Sequence, residues 1–126
     1  MNEPIRILVV DDNADVCNST ARLLERAGYI VDVAADGEAA LELVRQHQPN
    51  MILLDRDMPG LDGLEVCRRI KQDPSYVNIL VVLASAAYAE SSEQAEGLEA
   101  GADGYIARPI ANRELLARGL GGGGER

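Results

Sequence analysis

The sequence has 126 residues, 47% of them hydrophobic and 26% charged, which is typical of one soluble globular domain. Its net charge of −9 disfavours direct binding of nucleic acid or of anionic membranes, and no apolar run approaches the roughly 18 residues that a membrane span needs. The first residues, Met1-Asn2-Glu3-Pro4, lack the basic segment of a signal peptide, so we expect a cytoplasmic protein.

Short apolar segments alternate with amphipathic segments along the chain. This pattern predicts strands at 5–10, 30–34, 51–54, 79–83 and 105–107 and helices at 15–27, 36–47, 64–71, 90–100 and 112–118. The unbroken apolar runs at 51–54 and 79–83 indicate strands buried on both faces. The alternation favours an α/β, flavodoxin-like fold, a doubly wound five-stranded parallel sheet in the order 2-1-3-4-5 with five helices on two faces.

The two cysteines and the chain end carry weaker signals. Cys17 and Cys67 have neither a CxxC nor a metal-ligand spacing, so we expect no zinc site and two reduced, mostly buried thiols in helices, with a disulfide or redox pair as the alternative. We expect the domain to cover residues 1–120, followed by a flexible glycine-rich tail or the start of a linker at 121–126.

Polar side chains follow four strands that are neighbours in the predicted order, at the edge where open α/β sheets bind ligands. They are Asp11 and Asp12 after the first strand, Asp55 after the third, Ser85 after the fourth, and Arg108 before Pro109 after the fifth. Carboxylates held close together need a cation or a shared proton, and an all-oxygen set of ligands suits Mg²⁺. A carboxylate beside Mg²⁺ can attack phosphorus to give an aspartyl phosphate. A hydroxyl such as that of Ser85 and a cation such as Arg108 can hold the remaining oxygens.

Each feature also has a simpler interpretation. Asp11 and Asp12 could cap the first helix, because acidic residues suit helix N-termini. Asp55 could merely begin a loop, and Arg108-Pro109 could form a turn. Their joint position at strand ends favours a phosphoryl-accepting site over these separate interpretations.

Four motifs, in order and at matching spacing, resemble the receiver domains of two-component response regulators. They are ILVVDD at 7–12, LLDRDMPGLDG at 53–63, LASA at 83–86 and GADGYIARP at 101–109. The resemblance covers residues 5 to about 118. It implies a signalling domain that promotes only its own phosphorylation and dephosphorylation and is not otherwise an enzyme.

The resemblance implies a role for each matching residue in the metal and phosphoryl site. Asp55 would accept the phosphoryl group from a histidine kinase or phosphotransfer protein. Asp12 would bind Mg²⁺ directly, Asp11 mostly through water, and the backbone carbonyl of Asp57 would supply a further ligand. Ser85 would turn its hydroxyl onto a phosphoryl oxygen.

The same resemblance implies a switch. Tyr105 would move inward behind Ser85 and change the surface made by the fourth helix, fifth strand and fifth helix, where an output domain or partner could bind. Gly63 stands where the family's loop needs glycine, and the Arg108–Pro109 bond is expected to be cis.

Two positions depart from the family pattern. Arg108 replaces the usual lysine, and its wider planar guanidinium could still pair with phosphate but puts the coupling after phosphorylation in doubt. The Arg-Pro-Ile segment at 108–110 is similar to that of receivers at the head of larger sensor kinases. Asp57 adds a carboxylate at the pocket mouth, which is either solvated without a specific role or alters the phosphoryl lifetime through attacking water.

Two alternative functions stay open at this point. One is a receiver-like interaction module that is poorly phosphorylated because of Arg108. The other is a phosphatase of the haloacid-dehalogenase type, since Asp55-Arg56-Asp57 resembles its Asp-x-Asp motif. That motif belongs on the first strand of such enzymes, whereas here an acidic pair precedes it on another strand.

Overall fold

A computed structural model of the chain describes residues 3–85 and 91–107, without the side chains of 91–93 and 107. The predicted helix at 112–118, the Arg108–Pro109 bond and the glycine-rich segment at 121–126 lie outside these residues. Among the helices it describes, none is both long enough and apolar enough to cross a membrane.

Strands and helices alternate as predicted. The strands are β1 (Arg6–Val10), β2 (Ile30–Ala34), β3 (Met51–Asp55), β4 (Leu80–Ser85) and β5 (Gly104–Ala107). The helices are α1 (Ala14–Arg26), α2 (Gly37–His47), α3 (Gly63–Gln72) and α4 (Ser91–Glu99), with a short 3-10 helix at Pro74–Tyr76 that the sequence pattern did not predict. Four of the five predicted α-helices therefore lie in the described part of the chain.

The five strands form one parallel sheet in the order β2-β1-β3-β4-β5, which confirms the predicted topology. The four residues of the apolar run at 51–54 are buried as predicted, and Asp55, which ends β3, is buried as well. In register, Val10 lies beside Leu54, and Asp55 lies beside Ala84. This register brings the carboxyl ends of β1, β3 and β4 to the same edge of the sheet.

Side chains of each strand alternate between two hydrophobic clusters, one on each face of the sheet. One face packs against α2, α3, α4 and the residues just after α4, and we call it the α4 face; its buried strand residues are Leu8, Val10, Ala34, Ile52, Leu54, Val81 and Leu83. The opposite face packs against α1, and we call it the α1 face; its strand residues are Ile7, Val9, Met51, Leu53, Val82, Ala84 and Ile106. The sheet therefore separates two environments, and adjacent residues of a strand belong to different ones.

Candidate functional site

Three carboxylates meet at the carboxyl edge of the sheet. One oxygen from each of Asp11, Asp12 and Asp55 lies within 4.8 Å of the others. Asp11 and Asp55 are only 4% and 3% exposed, whereas Asp12 is exposed. Charged carboxylates so close together and so poorly hydrated repel each other, and a cation would offset this repulsion. The donor set, made of oxygens with one side open to solvent, fits Mg²⁺.

Backbone hydrogen bonds fix the first carboxylate. The amide N–H of Asp11 donates to the carbonyl oxygen of Ala34 at 3.1 Å, which extends the β1–β2 pairing one residue beyond β1. Its Oδ1 accepts a hydrogen bond from the amide N–H of Asn13 at 2.9 Å. Asn13 is the N-cap of α1 and accepts hydrogen bonds from Asp15 and Val16. The alternative that Asp11 or Asp12 caps this helix is therefore wrong, because Asn13 occupies that position.

Asp55 is the last residue of β3 rather than the beginning of an exposed loop. Its Oδ1 accepts a hydrogen bond from the amide N–H of Asp57 at 2.9 Å. The next residue, Arg56, still donates its amide N–H to the carbonyl oxygen of Ala84 at 2.8 Å, so the sheet pairing continues past Asp55. The side chain of Asp57 is exposed, which agrees with a solvated loop carboxylate.

Ser85 and Tyr105 lie on the next two strands. Ser85 ends β4 and is 2% exposed. Tyr105 lies beside Leu83 in register, and its ring packs against the cluster of the α4 face. Residues 83 and 85 of β4 point to the same side, so Ser85 and Tyr105 share this face of the sheet.

Arg56 links the site to α4 and β5, a connection that the sequence pattern does not predict. Its Nη1 donates to the hydroxyl of Tyr105 at 3.3 Å, and its Nη2 forms a close ion pair with Glu96 of α4. The Arg56 side chain is only 13% exposed, whereas that of Glu96 is 53% exposed. The sequence feature that could have indicated this link is an arginine directly after Asp55, because strand alternation points its side chain to the opposite face of the sheet.

The two cysteines are free and buried, one in α1 and one in α3, as predicted. Burial raises the pKa of the Cys17 thiol, and the nearby charge of Asp11 raises it further. Burial likewise raises the pKa of Cys67, to about 11. Both thiols are therefore protonated near neutral pH and poor nucleophiles.

The structure thus brings Asp11, Asp12 and Asp55 together, places Asp57 in the adjacent loop, and sets Ser85 at the neighbouring strand end. Arg108, the predicted cation of the site, lies outside the described residues.

Comparisons with known proteins agree with this geometry. The protein-family model for the response regulator receiver domain matches residues 7–119. The response regulator MprA of Mycobacterium sp. (strain KMS) is 47% identical over 115 residues, which are 91% of this chain and 49% of that protein. MprA of Mycobacterium leprae is 46% identical over 114 residues, 90% of this chain and 49% of that protein. The chain therefore spans about half the length of the curated relatives it matches.

Solved structures show the same fold. The CheY-like receiver domain protein of Methanospirillum hungatei superposes with a TM-score of 0.84 at 30% identity, covering 92% of this chain and 90% of that one. The chemotaxis protein CheY4 of Vibrio cholerae superposes with a TM-score of 0.86 at 26% identity, covering 92% of this chain and 96% of that one. Nothing in these comparisons favours the haloacid-dehalogenase-type alternative.

Proposed function

Because the chain belongs to the response regulator receiver family of two-component signalling, we propose that Asp55 is its phosphoacceptor and that Mg²⁺ bound beside it supports the transfer. The observation that carries this proposal is the cluster of three carboxylates within 4.8 Å, two of them buried, at the carboxyl edge of the sheet. Like charges held together in a buried cluster destabilise a fold unless a bound cation or a proton offsets their repulsion, so such a cluster indicates a functional site.

The transfer makes one bond and breaks one bond. A carboxylate oxygen of Asp55 attacks the phosphorus of a phosphohistidine on a histidine kinase or phosphotransfer protein. The new P–O bond forms as the P–N bond breaks, and the imidazole leaves with the bonding electron pair and takes up a proton. The hydrogen bond from the Asp57 amide at 2.9 Å orients the Asp55 carboxylate for this attack.

Asp12, Asp11 and the backbone carbonyl of Asp57 would hold the metal together with Asp55. When bound, Mg²⁺ would neutralise negative charge on the transferring group. The exposed position of Asp12 suits direct coordination, because its carboxylate can reach the ion without losing a buried partner. Water reaching the same site would hydrolyse the acyl phosphate, so the domain would promote both its own phosphorylation and its dephosphorylation.

The hydroxyl of Ser85 would contact a phosphoryl oxygen, and Arg108 would supply the cation that lysine supplies elsewhere in the family. Ser85 and Tyr105 share the α4 face, so movement of the Ser85 hydroxyl toward the phosphoryl group would leave room behind it for the Tyr105 ring. Inward movement of Tyr105 would then change the surface of α4 and β5, to which an output domain or partner would bind.

A small-molecule phosphodonor tests the acceptor without knowledge of the kinase. The protein is incubated with Mg²⁺ and acetyl phosphate, and intact mass is measured before and after treatment with hydroxylamine, which cleaves acyl phosphates but not serine phosphates. We expect one phosphoryl group that hydroxylamine removes and that chelation of Mg²⁺ prevents.

Asp55→Asn and Asp15→Asn form a matched pair for this assay. Asp15 is an exposed aspartate in the first turn of α1, outside the carboxylate cluster, so its variant should be modified like the wild type. Asp55→Asn should take up no hydroxylamine-labile phosphoryl group. Modification of Asp55→Asn at the wild-type level would refute Asp55 as the acceptor.

A further inference from the structure

The strongest feature outside the carboxylate cluster is the contact between Arg56, Tyr105 and Glu96. Each residue comes from a different element: Arg56 follows β3, Tyr105 lies in β5, and Glu96 lies in α4. The guanidinium of Arg56 bridges the Tyr105 hydroxyl and the Glu96 carboxylate with two different nitrogens. A planar guanidinium suits such a bridge, since its fork presents several donors in fixed directions.

The backbone of Arg56 is fixed to the site on both sides. Its amide N–H donates to the carbonyl oxygen of Ala84 at 2.8 Å, and its carbonyl oxygen accepts from the amide N–H of Gly63 at 3.1 Å. Arg56 is also joined by one peptide bond to Asp55. If the loop at 56–62 shifts when Asp55 changes charge, the Cα atom of Arg56 would therefore move with it.

The ring of Tyr105 is held on a second side by α4. A Cβ atom added to Gly97 would lie 2.9 Å from Cδ2 of Tyr105, so the ring packs directly on the backbone of this helix. Gly97 follows Glu96, and the same turn of α4 thus contacts both the hydroxyl-bound guanidinium and the ring. Release of the hydroxyl would remove one of the two restraints that keep the ring on α4.

We propose that Arg56 is a positioning residue that holds Tyr105 on α4 in the unphosphorylated protein and thereby opposes the inward movement of the ring. This inference rests on the proposed function, because it assigns to Arg56 the coupling between a change at Asp55 and the surface of α4 and β5. The contact exists in the unmodified state and is lost when Tyr105 moves inward. Breaking it in advance should make the modified state easier to reach, by the reciprocity of linked equilibria.

The resting contact is tested by the tyrosine ring signals in NMR spectra. The chain has four tyrosines and neither Phe nor Trp, so selective ¹³C labelling of tyrosine gives few aromatic signals. Tyr105→Phe assigns the signal of Tyr105. We expect Arg56→Ala to shift this signal without Mg²⁺ or any phosphoryl analogue, and to leave the signal of Tyr29, which packs against the α1 face, in place.

Arg68→Ala is the matched control. Arg68 also pairs with a glutamate, Glu65 of α3, at 3.5 Å, but this ion pair is exposed and is not connected to Tyr105. Its removal should leave the Tyr105 signal unchanged. Should Arg56→Ala not fold, Arg56→Lys carries the same test. Lysine keeps a positive charge near Glu96 but lacks the fork that reaches two partners.

The coupling is tested by titration with beryllofluoride in Mg²⁺, with the ¹⁹F signal of the bound fluoride as the readout in every variant. We expect Arg56→Ala to bind the fluoride about two- to fivefold more tightly than the wild type, a modest factor because Glu96 is half exposed. In a Tyr105→Phe background the same substitution should have a smaller effect, because the hydroxyl through which Arg56 acts is already gone.

The outcomes separate the two proposals. If neither the wild type nor Arg68→Ala binds beryllofluoride, the proposed function is wrong and the coupling falls with it. If both bind it, and Arg56→Ala binds with equal or weaker affinity, Arg56 does not oppose the switch. An unshifted Tyr105 signal in the folded Arg56→Ala protein would likewise overturn the inference.

Discussion

The amide N–H of Gly63 donates to the carbonyl oxygen of Arg56 at 3.1 Å, and a Cβ atom at Gly63 would lie only 2.4 Å from the carbonyl oxygen of Asp55. The first turn of α3 therefore rests on the backbone of the candidate acceptor itself. This contact closes the loop at 56–62, which carries the Asp57 carbonyl proposed as a metal ligand. Any side chain at position 63 must push the loop, the helix or both away from Asp55.

Gly63→Ala should destabilise the protein by about 1–3 kcal/mol, the usual cost of forcing an atom into a closely packed site. Urea unfolding monitored by circular dichroism measures this change. Gly104→Ala is the control, since its Cβ would meet Val82 Cγ2 at 3.5 Å, an ordinary contact. Equal losses of stability in the two variants would contradict the close approach of Gly63.

Asp55→Asn should stabilise the protein in a buffer that contains a chelator and no divalent cation. The substitution removes one of three mutually repelling charges, two of them buried, and a gain of about 1 kcal/mol is expected. Added Mg²⁺ should raise the free energy of unfolding of the wild type more than that of Asp55→Asn. Thermal unfolding with and without Mg²⁺ measures both effects, with Asp15→Asn as the control. A wild type that responds to Mg²⁺ no more than Asp55→Asn would contradict a metal at this cluster.

Gly97→Ala tests the packing of the Tyr105 ring on α4. Alanine favours a helix over glycine by about 1 kcal/mol, but its Cβ would lie 2.9 Å from Cδ2 of the ring. We expect this clash to cancel or exceed the gain in helix propensity while Tyr105 is present. In a Tyr105→Ala background the same change should become more favourable by about 1 kcal/mol. Urea unfolding of the four proteins measures this difference, and strictly additive effects would show that the ring does not limit position 97.

Cys67 predicts a loss of stability in alkaline solution. Burial raises the pKa of its thiol from 9.0 to about 11, so the folded protein keeps a proton that the unfolded chain releases near pH 9. The stabilisation is fully present below the unfolded pKa and declines as pH rises from about 9 to about 11, by a total of about 2–3 kcal/mol. Cys67→Ala should lose less stability than the wild type between about pH 8 and pH 10.5. Parallel pH profiles would indicate that the thiol does not titrate differently on folding.

Much of the fold follows from local sequence patterns. The apolar runs of β3 and β4 give buried strands, and their alternation with helices leaves few topologies. The strand-end aspartates could be predicted because the carboxyl ends of parallel strands share one edge. The boundaries were less accurate. The fourth strand was predicted at 79–83 but runs from Leu80 to Ser85, since its pairing with β3 and β5 continues past the apolar run.

The contacts of Arg56 could not be predicted in the same way. Tyr105 and Glu96 are 49 and 40 residues away in sequence, and their meeting depends on where α4 settles on the sheet. Whether such distant side chains meet depends on their rotamers and on the position of the helix, and a local sequence pattern predicts neither. The choice of Asn13 over Asp12 as the cap of α1 likewise depends on the path of the chain after β1.

Asp55 and Arg56 are consecutive residues whose side chains point to opposite faces of the sheet. Asp55 lies in the carboxylate cluster, and Arg56 contacts α4. Because side chains alternate along a strand, the directions of these two side chains depend on the number of residues in β3. Inserting or deleting one residue within β3 would shift its pairing by one position and exchange the two directions, placing a cation among the aspartates and a carboxylate against Glu96. Substitutions within β3 can be tolerated when they preserve volume, but changes in its length cannot. Natural variation in this segment should therefore consist of replacements, with insertions and deletions confined to the loops on either side.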